Sequence, residues 1–267
     1  MSEAELERPR TSPRRPRPHR LVGVSTKMYF SLDRTRSYMT SAVSLLPTLP
    51  TDTADIFILP DFLSILTARD LLGPTPILYG AQDAHWADSG AHTGEVSPAA
   101  LAEAGCRFVE IGHAERRAAF GETDADVAKK AEAVTRNGLV PLVCIGERTE
   151  GGTGGEAVGM AVEECRPQVE AVLGSVPVES EIVLAYEPVW AIGKSEPASA
   201  DHIVGVTSAL RRFCEERREG TTKILYGGSA GPGLFAKLKE GVDGLFLGRF
   251  AHDVEAFAEV IREVGSV

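Results

Sequence analysis

The chain has 267 residues, of which 43% are hydrophobic and 25% are charged; these fractions are typical of soluble globular proteins. This composition excludes a disulfide-rich miniprotein, a collagen-like fibre and a wholly disordered chain, and no apolar run approaches the ~20 residues of a membrane helix. A formal net charge of −10 argues against nucleic acid and an anionic membrane as partners.

Residues 1–20 form a basic, proline-rich segment, in which six arginines alternate with four prolines and only three glutamates oppose them. The segment has no apolar stretch, so it does not read as a secretory signal, and it cannot bury enough surface to offset its ordering entropy. We expect a disordered N-terminal extension. The alternative is a basic arm that contacts an acidic partner.

From residue 21 onward, short apolar runs alternate with longer amphipathic stretches. Two helical stripes are the clearest of these, one after a capping position at Ser31 and one near the C-terminus. The stripes consist of Leu32, Met39, Val43 and Leu46, and of Val254, Phe257, Ala258 and Ile261. Eight runs read as strands, at 21–25, 55–59, 77–81, 108–111, 140–145, 182–187, 223–226 and 244–247.

Eight strands that alternate with helices over residues 21–267 predict a single (β/α)8 barrel, a TIM barrel, which would form the catalytic domain. A doubly wound open sheet has the same rhythm. However, no G-x-G-x-x-G motif follows the first strand, and this weakens the dinucleotide-binding version of that fold.

Side chains that can take part in catalysis lie just after several of the predicted strands. Lys27 follows the first strand, His113 the fourth and Glu187 the sixth, while glycine-bearing loops follow the seventh and eighth. In a barrel these strand ends share one face, and the last two loops commonly bind phosphate. A base, an electrophile and a phosphate site together indicate proton abstraction beside the carbonyl of a phosphorylated substrate.

The histidines and cysteines show no spacing typical of a metal site or a redox pair. There is no H-E-x-x-H motif, and the four cysteines form no C-x-x-C pair. We therefore expect reduced thiols in a cytoplasmic protein that uses no metal and no other cofactor.

Several motifs at these positions resemble triosephosphate isomerases, and the resemblance spans residues 21–267. In this family a glutamate base works with a neutral histidine, so the resemblance implies these roles for Glu187 and His113. Lys27 would supply positive charge, Glu115 would orient the site, and Cys144 would pack beneath the base. The motifs are I-G-H-A-E-R-R at 111–117, C-I-G-E at 144–147, A-Y-E-P-V-W-A-I-G at 185–193 and Y-G-G-S at 226–229.

The resemblance also implies a lid over residues 188–194 that shields the reaction intermediate from water. The phosphorylated sugar would be held by backbone and side-chain groups of Gly193, Ser229 and Gly248. A homodimer is implied through the third βα loop, which contains Thr93, Gly94 and Glu95.

The chain departs from the family pattern around the substrate. Ser25 replaces an asparagine that contacts substrate, Ala114 replaces the serine after the histidine, and the end of the lid differs. Arg249 replaces the second glycine after strand 8, and its side chain either contacts the phosphate or points to solvent.

These changes leave the acid–base residues intact and make room at the reacting end of the substrate. The pattern is similar to family relatives that isomerise erythrulose phosphates in tetritol breakdown, so we expect a sugar-phosphate isomerase that acts on L-erythrulose 1-phosphate and D-erythrulose 4-phosphate. The alternatives are triosephosphate isomerase itself, a glycolytic enzyme, and a non-catalytic barrel that binds a phosphorylated ligand.

Overall fold

The computed structural model describes residues 20–152, 154–192 and 197–267. These segments form a closed barrel of eight parallel strands arranged in chain order, so the predicted (β/α)8 barrel is confirmed. The strands are β1 (Arg20–Ser25), β2 (Ala54–Leu59), β3 (Leu78–Ala81), β4 (Phe108–Ile111), β5 (Val140–Ile145), β6 (Ile182–Tyr186), β7 (Thr222–Tyr226) and β8 (Gly244–Leu247). The barrel closes where β8 pairs with β1.

The strands differ from their predicted bounds by no more than one residue. The most informative difference is Arg20, which we assigned to the N-terminal extension and which instead begins β1. Its guanidinium donates to the carbonyl of Val242 over 3.2 Å and lies 5.1 Å from the centre of the Phe235 ring. The extension predicted for residues 1–19 falls outside the described residues.

Helices connect the strands on the outside of the barrel. In the described segments they are α1 (Leu32–Leu45), α2 (Ile65–Leu72), α3 (Pro98–Glu103), α4 (Ala114–Phe120), α5 (Asp124–Arg136), α6 (Gly154–Leu173), α7 (Ala200–Glu215), α8 (Phe235–Leu238) and α9 (Val254–Gly265). None of these helices is both long enough and apolar enough to cross a membrane.

The stripe near the C-terminus behaves as predicted, whereas the stripe of α1 does so only in part, since Leu46 lies beyond the end of that helix. The hydroxyl of Ser31 accepts a hydrogen bond from the backbone N–H of Arg34 and so caps α1. Met39 is fully buried, but Leu32 is 57% exposed, because it lies in the first turn, at the edge of the barrel. In α9 the predicted stripe faces the strands, and three of its four residues are only 1% exposed: Phe257, Ala258 and Ile261.

Two apolar cores hold the barrel together, one between the strands and the helices and one inside the barrel. The inner core is centred on Phe57, whose ring centre lies 4.9 Å from that of Phe108 and 5.7 Å from that of Phe246. Gly23 leaves the space that this ring occupies, since a Cβ there would lie 2.0 Å from the ring. The Phe57 ring thus fills the inside of the barrel at this level.

Candidate active site

Three predicted side chains meet at the carboxyl ends of the strands. Lys27 follows β1, His113 follows β4 and Glu187 follows β6. The Nε2 atom of His113 lies 3.3 Å from Oε2 of Glu187 and 3.4 Å from Nζ of Lys27. A cation, an imidazole and a carboxylate therefore face one another within reach of proton transfer.

The ring of His113 is oriented by the start of a helix. His113 is the N-cap of α4, and the backbone N–H of Glu115 donates to its Nδ1 atom over 3.1 Å. Because a backbone N–H can only donate, Nδ1 must be the acceptor, and the neutral ring carries its proton on Nε2. The Nε2–H group is the one that faces Glu187.

Opposing effects act on the pKa of His113. Burial lowers this pKa, but the carboxylates of Glu187 and Glu110 outweigh burial and raise it to about 9. Protonation would, however, place a second N–H at Nδ1, directly against the donating N–H of Glu115, and the dipole of α4 disfavours a cation at its N-terminus. We therefore assign the neutral ring, which can donate from Nε2 to a substrate oxygen.

Lys27 is held in an unusual backbone conformation beside the histidine. Its φ angle is 48°, the one positive value at a non-glycine residue within the described segments, and such strain is typical of functional positions. Its Nζ atom donates to Oε1 of Glu115 over 2.7 Å. Burial lowers the pKa of the ammonium, but Glu115 and Glu187 raise it overall, so Lys27 stays cationic.

Glu187 is 5% exposed and is packed from below and from the side. The Sγ atom of Cys144 lies 3.9 Å from its Oε1 atom, so this cysteine does lie beneath the carboxylate. Burial raises the pKa of the Cys144 thiol well above its usual value, which leaves it un-ionised. Gly227 leaves space for the carboxylate, since a Cβ there would lie 2.5 Å from Oε1.

A cavity of about 940 Å³ opens above these groups. The predicted substrate-binding residues Ser25, Ser229, Gly248 and Arg249 line it, together with the three residues above and Glu115. Arg249 begins a short 3-10 helix and is exposed, so its guanidinium is available to an anion at the rim of the cavity. The predicted contact at Gly193 lies outside the described residues.

Lys237 is a further cation that lines the cavity, and our sequence analysis missed it. It lies in α8, a four-residue helix without a clear apolar stripe, so the sequence offered no reason to place it near the site. In the described part of the chain, no group of three or more His, Cys, Asp and Glu side chains is arranged to hold a metal ion.

A second buried carboxylate, Glu147, contacts Trp190 within the predicted lid and residues before and after it. Its Oε1 atom accepts hydrogen bonds from the indole N–H of Trp190 over 2.8 Å and from the Tyr186 hydroxyl over 3.1 Å, and it lies 3.0 Å from Nε2 of His202. Trp190 lies three residues after the base, whereas His202 belongs to α7. Glu147 belongs to the motif C-I-G-E at 144–147, but its position in the sequence relative to Trp190, Tyr186 and His202 did not indicate that they are its partners.

Glu110 is the other buried carboxyl group that sequence analysis missed. It lies within β4 and is 3% exposed, and its Oε1 atom is 3.9 Å from Sγ of Cys144. Burial raises its pKa to about 7. The available signal was a single charged residue in the apolar strand F-V-E-I at 108–111.

The third βα loop, with the predicted dimer contacts Thr93, Gly94 and Glu95, is exposed on the surface. Gly94 has a φ of 89°, and a Cβ there would meet no atom within 4 Å. Two large apolar side chains are also exposed in the first and third βα loops: Met28 is 94% exposed and Trp86 is 39% exposed.

A (β/α)8 barrel with a lysine, a histidine and a glutamate at these strand ends, beside two glycine-rich loops, defines a barrel isomerase of phosphorylated sugars. The sequence profile of the triosephosphate isomerase family matches residues 20–264, and the chain belongs to this family.

Its relatives include proteins with two different names. The chain is 45% identical over 253 residues to the L-erythrulose-1-phosphate isomerase of Pectobacterium atrosepticum, an alignment that covers 91% of this chain and 94% of that protein. It is 40% identical over 208 residues to the protein of the same name from Brucella abortus, covering 77% and 81%. It is 37% identical over 251 residues to the triosephosphate isomerase of Thermus thermophilus, covering 92% and 98%.

Proposed function

We propose that this protein interconverts L-erythrulose 1-phosphate and D-erythrulose 4-phosphate through an enediolate intermediate. The observation that carries an isomerase function is the approach of His113 Nε2 to Glu187 Oε2 at 3.3 Å. A barrel that only binds a phosphorylated ligand has no use for a carboxylate held against an imidazole donor. The names of the relatives at 45% and 40% identity favour the four-carbon substrate.

The reaction needs only proton transfers. Glu187 takes the proton from C3 of L-erythrulose 1-phosphate, and the electron pair left behind forms the C2–C3 double bond and moves charge onto the C2 oxygen. His113 donates its Nε2 proton to that oxygen and then takes the proton of the C3 hydroxyl. Glu187 returns its proton to C2, so the carbonyl has moved by one carbon and the enzyme is unchanged.

Charge and hydrogen bonds around the cavity would stabilise this intermediate. Lys27 stays cationic and lies beside His113, where negative charge develops on the substrate oxygen. We assign the phosphate to the rim of the cavity, near Ser229, Gly248 and Arg249, because glycine-rich loops after β7 and β8 allow backbone N–H groups to approach it. The lid over residues 188–194 would exclude water during the reaction.

Ser25 is the sequence change that favours the larger substrate. Erythrulose 1-phosphate is dihydroxyacetone phosphate with an added hydroxymethyl group on the carbon that loses a proton. Ser25 lines the cavity beside Lys27 and His113, and it is smaller than the asparagine that the family has at this position. The alternative is the glycolytic reaction of triosephosphate isomerase, which the relative from Thermus thermophilus favours.

We expect kcat/KM for L-erythrulose 1-phosphate to exceed that for dihydroxyacetone phosphate by at least about tenfold, or about 1.4 kcal/mol. Ser25→Asn should narrow this ratio, because the larger amide fills the space that the hydroxymethyl group needs. Coupled assays of both substrates measure the ratio, and Ser44→Asn on the exposed face of α1 is the matched control. A parent enzyme that converts the triose equally well would favour ordinary triosephosphate isomerase.

We also propose that the protein is a cytoplasmic homodimer. The four cysteines are free and buried, as expected in a reducing compartment. The exposed side chains of Met28 in the first βα loop and Trp86 in the third offer apolar surface for a second copy.

Thr93→Asp should therefore weaken the dimer, because it places a charge where the third loop would enter the partner. Sedimentation equilibrium should give twice the chain mass of 28.5 kDa for the parent and a lower mass for the variant at the same concentration. Ser44→Asp, with the same change on the exposed face of α1, should stay dimeric. A monomeric parent, or equal masses for parent and Thr93→Asp, would contradict this interface.

A further inference from the structure

Two polar side chains beneath the cavity each have an oxygen atom that makes no hydrogen bond to the described part of the chain. Ser25 is the last residue of β1 and is 2% exposed, and Glu110 lies inside β4 and is 3% exposed. Neither the Oγ atom of Ser25 nor the Oε2 atom of Glu110 makes a hydrogen bond. Burial raises the pKa of Glu110 and the nearby hydroxyl of Ser25 lowers it, so the two groups are neighbours although they do not reach hydrogen-bonding geometry.

A structural role does not explain this pair. The inner core of the barrel is built from apolar side chains such as Phe57 and Leu142. A buried carboxyl oxygen without a partner costs free energy, and an apolar residue in its place would avoid that cost. The position is explained if a bound group supplies the missing hydrogen bond.

The pair lies at the reacting end of the site, with Ser25 in the lining of the cavity and Glu110 behind that lining. Cys144 connects Glu110 to the base, since its Sγ atom is 3.9 Å from Oε1 of Glu110 and 3.9 Å from Oε1 of Glu187. Ser25 lines the cavity together with Lys27 and His113. The unpartnered oxygens therefore lie beneath the reacting carbons, whereas the phosphate is assigned to the rim.

The chemistry of the four-carbon substrate matches these two groups. Its additional hydroxymethyl group extends from the carbon that loses a proton, and its hydroxyl needs an acceptor for its hydrogen and benefits from a donor to its oxygen. Glu110 can accept, and the Ser25 hydroxyl can do both. We propose that Ser25 and Glu110 bind the terminal hydroxymethyl group of the substrate, which makes Glu110 a specificity-determining residue; this inference rests on the proposed function.

Glu110→Leu tests the proposal, because leucine fills the space but accepts no hydrogen bond. The ratio of kcat/KM for L-erythrulose 1-phosphate to kcat/KM for dihydroxyacetone phosphate should fall about 30-fold, or about 2 kcal/mol. Ser25→Ala should lower the ratio too, and the double variant should lose less than the product of the two effects, because both groups bind the same hydroxyl. Glu181→Gln, which changes a carboxylate at the opposite end of the barrel, should keep the parent ratio.

Folding of the variant is checked independently. The raised pKa of Glu110 means that its carboxyl destabilises the fold increasingly as the pH rises from about 4.5 to about 7, because the unfolded chain ionises first. Glu110→Leu removes this effect, so its Tm should exceed that of the parent, by more at pH 8 than at pH 5.

Three outcomes can be told apart. A parent that prefers the triose would overturn the proposed function and this subsite with it. A parent that prefers the tetrulose while Glu110→Leu keeps the parent ratio would overturn the subsite alone. An equal loss of activity on both substrates would also overturn it, since Glu110 would then affect the proton-transfer groups His113 and Glu187 and not the binding of the hydroxymethyl group.

Discussion

Glu187→Gln is expected to lower kcat by several orders of magnitude, roughly 10³-fold or more, because an amide of the same size cannot take a proton from carbon. Phosphate binding should persist, since the groups assigned to it lie at the rim of the cavity, in the loops after β7 and β8. Steady-state kinetics on both substrates measure the loss. The affinity for inorganic phosphate is measured in the parent by inhibition and in the variant by direct binding. Similar values would show that the variant still binds phosphate.

Glu181→Gln is the matched control for this experiment, because it changes another poorly exposed carboxylate, which pairs with Arg107 over 2.5 Å. Its kcat should remain close to that of the parent. Melting curves for both variants would show whether either change affects the fold. Turnover by Glu187→Gln within tenfold of the parent would contradict the assignment of this residue as the base.

Gly227→Ala should cost about 100-fold in kcat although the new methyl group touches no substrate. The added Cβ would lie 2.5 Å from Oε1 and 2.7 Å from Cγ of Glu187, so the carboxylate must move. A displacement of about 1 Å from the reacting geometry is enough for a loss of this size. The effect should appear in kcat on both substrates, with little change in the ratio between them.

The same loop provides the control. At Gly231 an added Cβ would meet its nearest atom, Cε2 of Phe250, at 3.6 Å, which is an ordinary contact. Gly231→Ala should therefore lose far less activity than Gly227→Ala, although both changes remove one glycine from the loop after β7. Equal effects of the two substitutions would indicate that loop flexibility, and not the position of Glu187, limits the reaction.

The fold and the meeting of Lys27, His113 and Glu187 could be predicted from the sequence because both follow local patterns. Apolar runs set the strands, and the parallel order of a barrel brings their carboxyl ends together, so residues that follow strands 1, 4 and 6 share one face. This rule alone predicts that Lys27, His113 and Glu187 lie together, without any knowledge of angles or distances. The N-cap at Ser31 could also be predicted, because it depends only on residues that are close in the sequence.

The residues that were missed depend on contacts between distant segments. Glu110 looks like an isolated charge in a strand until Cys144 and Ser25 are placed beside it across the barrel. The partners of Glu147 come from three separate segments, and their meeting depends on the path of the chain between β6 and α7. Leu32 shows the opposite error, because helical spacing cannot tell where a helix passes the edge of the barrel.

The hydrogen bonds of Glu147 have a mechanical consequence for the lid. One buried oxygen holds Trp190, within the predicted lid, and His202, at the start of α7, so these two segments share a single anchor. Loss of the contact to Trp190 or to His202 should therefore weaken the other contact as well, because both depend on the position of the same carboxylate.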